Sequence, residues 1–254
     1  MSADPTSTPS STPEHTRYER IYLLLAAGFV VVLVLTNIIG IKLFRAPFNP
    51  EFALTTGILT YPLTFLFTDI VSEVYGKKRA DYMVVVGFVM SLFMVLVVQL
   101  AVAVPEHPAW VPGDNPAYAT EGEYQAAFAA TFRLQGLLLF GSMSAYLCAQ
   151  LCDNYLYHFW RRVTGGKHLW LRNNGSTWIS QLVDTAVVGS ILFYIGFGMD
   201  FRTGASIMVT IYLYKLVIAV LDTPFIYLGV LLTKRVLGYS WGDDVQVLRR
   251  AQTA

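Results

Sequence analysis

Cysteine is scarce in this chain, since Cys148 and Cys152 are the only two among 254 residues. They stand four positions apart in one apolar stretch, where side chains on the same helix face are badly placed for a disulfide. Free buried thiols usually behave as small apolar side chains. We therefore interpret both as packing residues, which argues against a disulfide scaffold and against a redox or metal centre built on cysteine.

Recognisable catalytic and cofactor motifs are also missing. The four histidines are dispersed, and none is paired at the spacing of metal ligands. The run Gly165-Gly166-Lys167 lacks the upstream glycine and the following Ser or Thr of a phosphate-binding loop, and no strand precedes it. We expect no metal, no other cofactor and no enzymatic activity.

Charged residues are few, at 14% of the chain, whereas 55% of the residues are apolar. The mean hydropathy of +0.50 is that of an integral membrane protein and not of a soluble domain. At about 20 residues for each crossing, the apolar runs predict six α-helices in one transmembrane domain, 18–236. The predicted spans are 21–43, 53–75, 82–104, 134–158, 176–198 and 206–233. The fold class is all-α, because an open strand cannot satisfy its backbone in lipid.

The distribution of basic residues predicts how the helices are oriented. Clusters of Lys and Arg precede the first span and follow the second, fourth and sixth, and the positive-inside rule places these ends in the cytoplasm. Both termini are thus predicted to be cytoplasmic, with tails at 1–17, expected to be disordered, and at 237–254. The cluster after the fourth span comprises Arg161, Arg162, Lys167 and Arg172.

The longest loop, 105–132, is assigned to the outside. It holds four acidic residues and no Lys or Arg, as expected of a loop on the side opposite the basic clusters. We expect Trp110 and Tyr118 to order it in part.

Polar residues inside the predicted spans are the best lead to function, because lipid offers them no partner and they usually face a bundle interior. In the second span, which Pro62 is expected to kink, aromatic and acidic residues recur every fourth position on one face. These are Tyr61, Phe65, Asp69 and Glu73. The fourth span repeats this one-sided pattern with Tyr146, Gln150, Asp153 and Tyr157. A competing interpretation is that the acids only mark helix ends that contact water.

The last two spans add an amide, two acids and a lysine. Gln181 and Asp184 are neighbours on one helix face, and Lys215 shares a face with Asp222 near mid-membrane. Five acids within the spans then face one ammonium. Either some acids reach water, or some are protonated, or a cationic group such as a transported substrate completes the balance. A purely structural ion pair is the alternative for Lys215.

Several of these residues stand in runs that resemble a known family. The runs are YPLTFLFTDIVSEVYGKK at 61–78, SQLVDT at 180–185, and YK at 214–215 ahead of DTP at 222–224. They are similar to the signature of the queuosine precursor transporters, also called the vitamin uptake transporter family. The likeness extends from about residue 20 to about residue 235.

The resemblance implies a six-helix bacterial inner-membrane protein that imports 7-deazaguanine precursors of the modified tRNA base queuosine. Candidate substrates are the 7-cyano and 7-aminomethyl forms and queuine. The fold is expected to be similar to the substrate-binding components of energy-coupling-factor vitamin importers, but without an ATPase partner and without a nucleic acid partner. The alternative is such a component of a multi-subunit importer for another small heterocycle.

The polar residues suit a ligand of this kind. A guanine-like edge presents N–H donors beside a carbonyl acceptor, which match a carboxylate with an amide or Lys, and its flat ring matches an aromatic side chain. We assign the substrate-binding residues as Asn37, Tyr61, Phe65, Asp69, Gln150, Gln181, Asp184 and Lys215. Gating or charge relay is assigned to Glu73, Asp153 and Asp222.

Overall fold

The computed structural model describes residues 13–40, 42–45, 53–110, 120–132 and 136–248, and all structural statements below concern this part of the chain. Its helices are α1 (Pro13–Ile39), α2 (Tyr61–Val74), α3 (Lys77–Ala103), α4 (Glu121–Phe132), α5 (Gly136–Val163), α6 (Leu169–Gly189) and α7 (Phe201–Leu237). A π-helical turn, Ser190–Gly196, continues α6. The strands are β1 (Leu43–Arg45) and β2 (Ala53–Thr55), followed by a 3₁₀ turn, Thr56–Leu59. The predicted all-α class is confirmed.

Four stretches of described helix are long and apolar enough to cross a bilayer. They are His15–Ile39, Lys77–Ala103, Leu169–Gly196 and Phe201–Leu237. Large apolar side chains on them are turned outward: Leu24 is 71% exposed, Phe93 60% and Leu221 64%. Apolar surface of this extent is unfavourable in water and is covered by lipid in a membrane. The chain is therefore a multi-pass integral membrane protein.

The second apolar segment is not a single helix, contrary to the prediction for 53–75. Its first residues form β2, which pairs antiparallel with β1 and places Phe44 opposite Leu54. The expected kink at Pro62 is also wrong, because Pro62 lies in the first turn of α2, where its missing N–H group costs no hydrogen bond. With 14 residues, α2 is about 21 Å long at 1.5 Å per residue.

The first span also differs from its predicted bounds of 21–43. α1 begins at Pro13, so residues 13–17 are helical and do not belong to a disordered tail. It ends at Ile39, and Leu43 belongs to β1. The side chain of Thr56 fastens this end, since its hydroxyl donates a hydrogen bond to the Ile39 carbonyl.

The apolar core lies where α1, α2, α3 and α7 meet. Phe29 of α1, Val71 of α2, Val84 of α3 and Ile226 of α7 are each no more than 1% exposed. Helices approach closely here because small residues stand at the contacts. A Cβ atom built on Gly87 of α3 would lie 2.5 Å from the Phe29 ring.

The C-terminal segment 240–248 folds back onto the bundle, although the sequence assigns 237–254 to a tail. Lys234 Nζ donates to the carbonyls of Trp241 (2.8 Å) and Asp243 (2.7 Å). Arg161 of α5 pairs with Asp244 at 2.7 Å. Gln246 Nε2 donates to the Glu73 carbonyl at 3.0 Å, which satisfies one of the free carbonyls at the end of α2.

The predicted external loop contains α4. Trp110 packs its ring against Tyr124 and Phe128, with centroids 5.0 and 5.3 Å apart. Gln125 Nε2 donates to the Val102 carbonyl at 3.0 Å, which holds α4 against the end of α3. The expected ordering by Trp110 is thus confirmed, whereas Tyr118 lies outside the described residues.

We expect Gly87→Val to destabilise the protein, because the new side chain would overlap Phe29 and Leu33 of α1. Overpacking of this kind costs about 1–3 kcal/mol, measured as thermal unfolding of the purified protein in detergent. Gly122→Val in α4 is the matched control, since the nearest atom to its added Cβ is 4.0 Å away. Equal melting temperatures for the two variants would contradict the packing of α1 against α3.

Candidate functional site

An ion pair between α6 and α7 is the centre of the site. Lys215 Nζ lies 2.6 Å from Asp184 Oδ2, and the two side chains are only 14% and 7% exposed. Lys215 Nζ also lies 4.7 Å from the centre of the Tyr61 ring, a cation–π contact with α2. Three helices therefore converge on one ammonium group. The acid opposite Lys215 is Asp184 and not Asp222 of its own helix.

Tyr61 connects this ion pair to the neighbouring amide. Its hydroxyl donates to Gln181 Oε1 and lies 3.4 Å from Asp184 Oδ2. One helical turn further along α2, Phe65 packs on Tyr61 with ring centroids 5.0 Å apart. The structure thus brings together five of the residues predicted to bind substrate.

Four of these five side chains, all except Asp184, line a cavity between α2, α6 and α7. It measures about 20 Å³, room for about one water molecule. Its walls include Tyr61, Phe65, Asn173, Gln181, Lys215 and Asp222. A bicyclic ligand enters only if some of these side chains move apart, and Lys215 is the longest of them.

Two wall residues carry buried polar atoms that are unpaired within the described part of the chain. They are the donor Nε2 of Gln181 and the acceptor Oδ1 of Asn173, on side chains 1% and 2% exposed. An unpaired buried polar group costs about 1–3 kcal/mol. A ligand that supplies an acceptor to Gln181 and a donor to Asn173 would remove this cost.

A second buried ion pair lies at the other end of α2. Arg172 Nη2 of α6 is 3.1 Å from Glu73 Oε2, with side chains 3% and 10% exposed. The Tyr157 hydroxyl donates to the same carboxylate oxygen at 2.9 Å. Arg172 Nη1 also donates to the Gly166 carbonyl at 2.8 Å. The assignment of Arg172 to a basic loop is therefore wrong.

The early start of α6 explains this correction. α6 begins at Leu169, seven residues before the predicted span. A tight turn precedes it, in which Gly165, Gly166 and His168 all have positive φ values. Within the described spans, Lys215 is consequently not the only buried cation that can balance the acids.

The remaining predicted polar residues lie between the two ion pairs. Asp69 is fully buried, and neither of its carboxylate oxygens has a hydrogen-bond partner among the described residues. Asp153 accepts a hydrogen bond from the Ser180 hydroxyl at 2.9 Å. Gln150 is fully buried and donates to the Tyr146 hydroxyl at 2.7 Å.

Asn37 lies apart from this group. Its Nδ2 donates to the Ser91 hydroxyl at 3.1 Å, so it joins α1 to α3. It is not among the residues that line the cavity. Its assignment to substrate binding stays a prediction from the sequence.

Sequence reasoning missed Asn173 and Thr177 on the cavity wall. The signal that could have found them is the four-residue spacing: Thr177 stands four positions before Gln181, and Asn173 four positions before Thr177. The predicted start at 176 left Asn173 outside the span, because the stretch before it is polar, whereas Thr177 lay inside the span and was overlooked.

Comparison with known proteins adds to this geometry. Residues 55–229 match a family model described as "Putative vitamin uptake transporter". The chain is 29% identical over 174 residues to a "Probable queuosine precursor transporter" of Bacillus subtilis (strain 168), with 68% of this chain and 70% of the relative covered. It is 24% identical over 180 residues to a protein of the same name from Haemophilus influenzae (strain ATCC 51907 / DSM 11121 / KW20 / Rd), covering 68% and 66%. No solved structure matches the chain.

We expect Arg172→Met to destabilise the protein by about 3–5 kcal/mol, because it leaves the Glu73 carboxylate buried without its cation. The measurement is unfolding of the purified protein in detergent. Lys77→Met is the control: it breaks the pair with Asp81, whose side chains are 40% and 28% exposed, and such pairs contribute about 0–1 kcal/mol. Adding Glu73→Gln to Arg172→Met should recover part of the loss. A loss for Arg172→Met no larger than for Lys77→Met would contradict the buried pair.

Proposed function

Because the chain belongs to the vitamin uptake transporter family, we propose that it imports 7-deazaguanine precursors of queuosine across the bacterial inner membrane. The names of the two relatives support this substrate class. The 7-cyano form, the 7-aminomethyl form and queuine are the candidates. They share a guanine-like edge and differ in the group at position 7.

The observation that carries the proposal is that Tyr61, Gln181 and Lys215 converge on one cavity, beside which Asp184 pairs with Lys215. A guanine-like edge needs an acceptor for its N–H groups and a donor for its carbonyl. Asp184 supplies the first and Lys215 or Gln181 the second. Tyr61 and Phe65 offer aromatic faces to the ring, and stacking contributes about 1–3 kcal/mol per base.

Binding at this site replaces contacts that the protein makes with itself. The ammonium of Lys215 now pairs with the Asp184 carboxylate that the base would need. A ligand that pairs with Asp184 releases Lys215 for the ligand carbonyl. Substrate binding therefore favours a rearranged state only if the ligand's contacts with the protein are lower in free energy than the internal contacts that they replace.

We further propose six crossings with both termini in the cytoplasm. α2 alone is too short for the roughly 30 Å hydrocarbon layer, so the 3₁₀ turn that precedes it, Thr56–Leu59, is proposed to extend its crossing. α5, with 28 residues, is long enough by itself. The Lys and Arg residues near the ends of α2, α5 and α7 support this orientation.

Transport is proposed to need no ATPase partner. Proteoliposomes that contain this chain alone, without ATP, should take up a labelled 7-deazaguanine. An absolute requirement for a separate ATPase would favour the alternative, a substrate-binding component of a multi-subunit importer. Uptake of another heterocycle in place of every 7-deazaguanine would contradict the proposed substrate class.

We expect Asp184→Asn and Lys215→Met each to lower the uptake of labelled 7-deazaguanines roughly ten- to hundredfold, since each removes a charged partner from the site. The measurement uses bacterial cells that lack their own synthesis of these bases. Asp200→Asn is the matched control, because Asp200 is an exposed cap of α7 that accepts from Thr203 N–H and Asn caps helices equally well. Normal uptake by both site variants at equal expression would contradict the proposed site.

Thiol labelling tests the orientation. In a background with Cys148→Ala and Cys152→Ala, the Glu106→Cys variant should react with an impermeant reagent added to intact cells, whereas the Lys167→Cys variant should react only after permeabilisation. Both positions are exposed in the structure, so accessibility does not limit either reaction. The reverse labelling pattern would overturn the proposed topology.

A further inference from the structure

Ion pairing among the described residues leaves two buried acids and one half-buried acid without a cation. Asp184 pairs with Lys215 and Glu73 pairs with Arg172. Asp69, Asp153 and Asp222 are in no ion pair of the described part of the chain. In a membrane protein an unpaired carboxylate is costly and usually marks a functional position.

These three acids are grouped. Asp69 stands one turn before Glu73 on α2, and Asp153 stands one turn before Tyr157 on α5, whose hydroxyl donates to Glu73. Asp222 lines the cavity together with Phe65, which is one turn from Asp69 on α2. Asp153 is partly satisfied by Ser180, whereas both oxygens of Asp69 are unpartnered in the described structure. Asp69 is therefore a fully buried carboxylate with neither a hydrogen-bond partner nor an ion-pair partner among the described residues.

The group adjoins the cavity already described. Asp222 lines its wall together with Asn173, whose buried Oδ1 is unpartnered among the described residues. Asp69 stands one turn beyond the wall residue Phe65 on α2. An acceptor-rich end of the cavity thus lies opposite the end that holds Lys215.

The separation of the two ends fits one elongated ligand. Asp222 follows Lys215 by seven residues on α7, about 10 Å along the helix at 1.5 Å per residue. A fused bicyclic base with one substituent, together with the hydrogen bonds at its two ends, has about this length. A base held by Asp184 and Gln181 would direct its substituent toward Asp222 and Asn173.

We propose that Asp222, Asn173 and Asp69 form a cation subsite that binds the ammonium of a substrate side arm, so that the transporter selects a 7-aminomethyl over a 7-cyano 7-deazaguanine. This inference rests on the proposed function. The primary ammonium offers three N–H donors, which match the unpaired carboxylate and amide oxygens. The cyano group has no donor and leaves these oxygens unpaired, at the cost that an unmade buried hydrogen bond carries.

The test compares uptake of the labelled 7-aminomethyl and 7-cyano bases by the same cells, expressed as a ratio. The full chain is expected to prefer the cationic base about ten- to hundredfold, as a charge-assisted hydrogen bond provides. Asp222→Asn and Asp69→Asn should each bring the ratio close to one. Asp222→Glu should retain the preference for the aminomethyl base. Asp184→Asn should lower the uptake of both bases and leave that preference unchanged. Asp200→Asn is the control with an unchanged ratio.

Several outcomes would overturn the inference. If the full chain takes up the cyano base as well as the aminomethyl base, or better, the cation subsite does not exist. The proposed function would still stand. If Na⁺ or a proton occupies the proposed cation subsite instead, uptake of both bases will depend on that ion in proteoliposomes. Asp69→Asn will then lower the uptake of both bases to the same extent. If neither base is transported, the proposed function fails first. The ratio within one variant is independent of expression, so a poorly folding variant still gives a reading.

Discussion

The need to balance buried charge in a membrane governs this molecule. Lys215 would be strongly destabilising among apolar helices, and Asp184 is the acid that makes it tolerable, tying α6 to α7. Glu73 and Arg172 make the equivalent connection between α2 and α6. α2 touches both pairs, through Tyr61 at its start and Glu73 at its end. The shortest helix of the membrane bundle is therefore held at each end by a different ion pair.

This arrangement explains why the site is closed in the structure. Lys215, Asp184 and Tyr61 are bonded within the site, and the remaining cavity of about 20 Å³ is too small for a bicyclic ligand. In the proposed mechanism, opening needs Lys215 to leave Asp184, which is unfavourable unless a ligand offers new partners to both. Entry is thus selective in itself, because a molecule without a suitable polar edge cannot compensate for the separated pair. Discrimination and conformational change then depend on the same contacts.

The sequence predicted which polar residues lie together better than it predicted the extent of the helices. Tyr61 and Phe65, four residues apart, and Gln181 and Asp184, three apart, each share a helix face whatever the exact helix ends are. The positive-inside rule assigned Arg172 wrongly to a loop, because it counts basic residues and takes no account of their partners. Glu73, which is far from Arg172 in sequence, pairs with it. Hydropathy likewise joined 53–60 to α2, since an apolar hairpin and an apolar helix look alike in composition.

The contact between Gln246 and the end of α2 gives the C-terminal segment a mechanical role. Gln246 holds the carbonyls of Ser72 and Glu73, while Trp241 of the same segment is stacked on Tyr227 of α7. An axial displacement of α2 during a transport cycle would pull on this segment and disturb the indole. The fluorescence of Trp241 would therefore report such a movement of α2 without an attached dye.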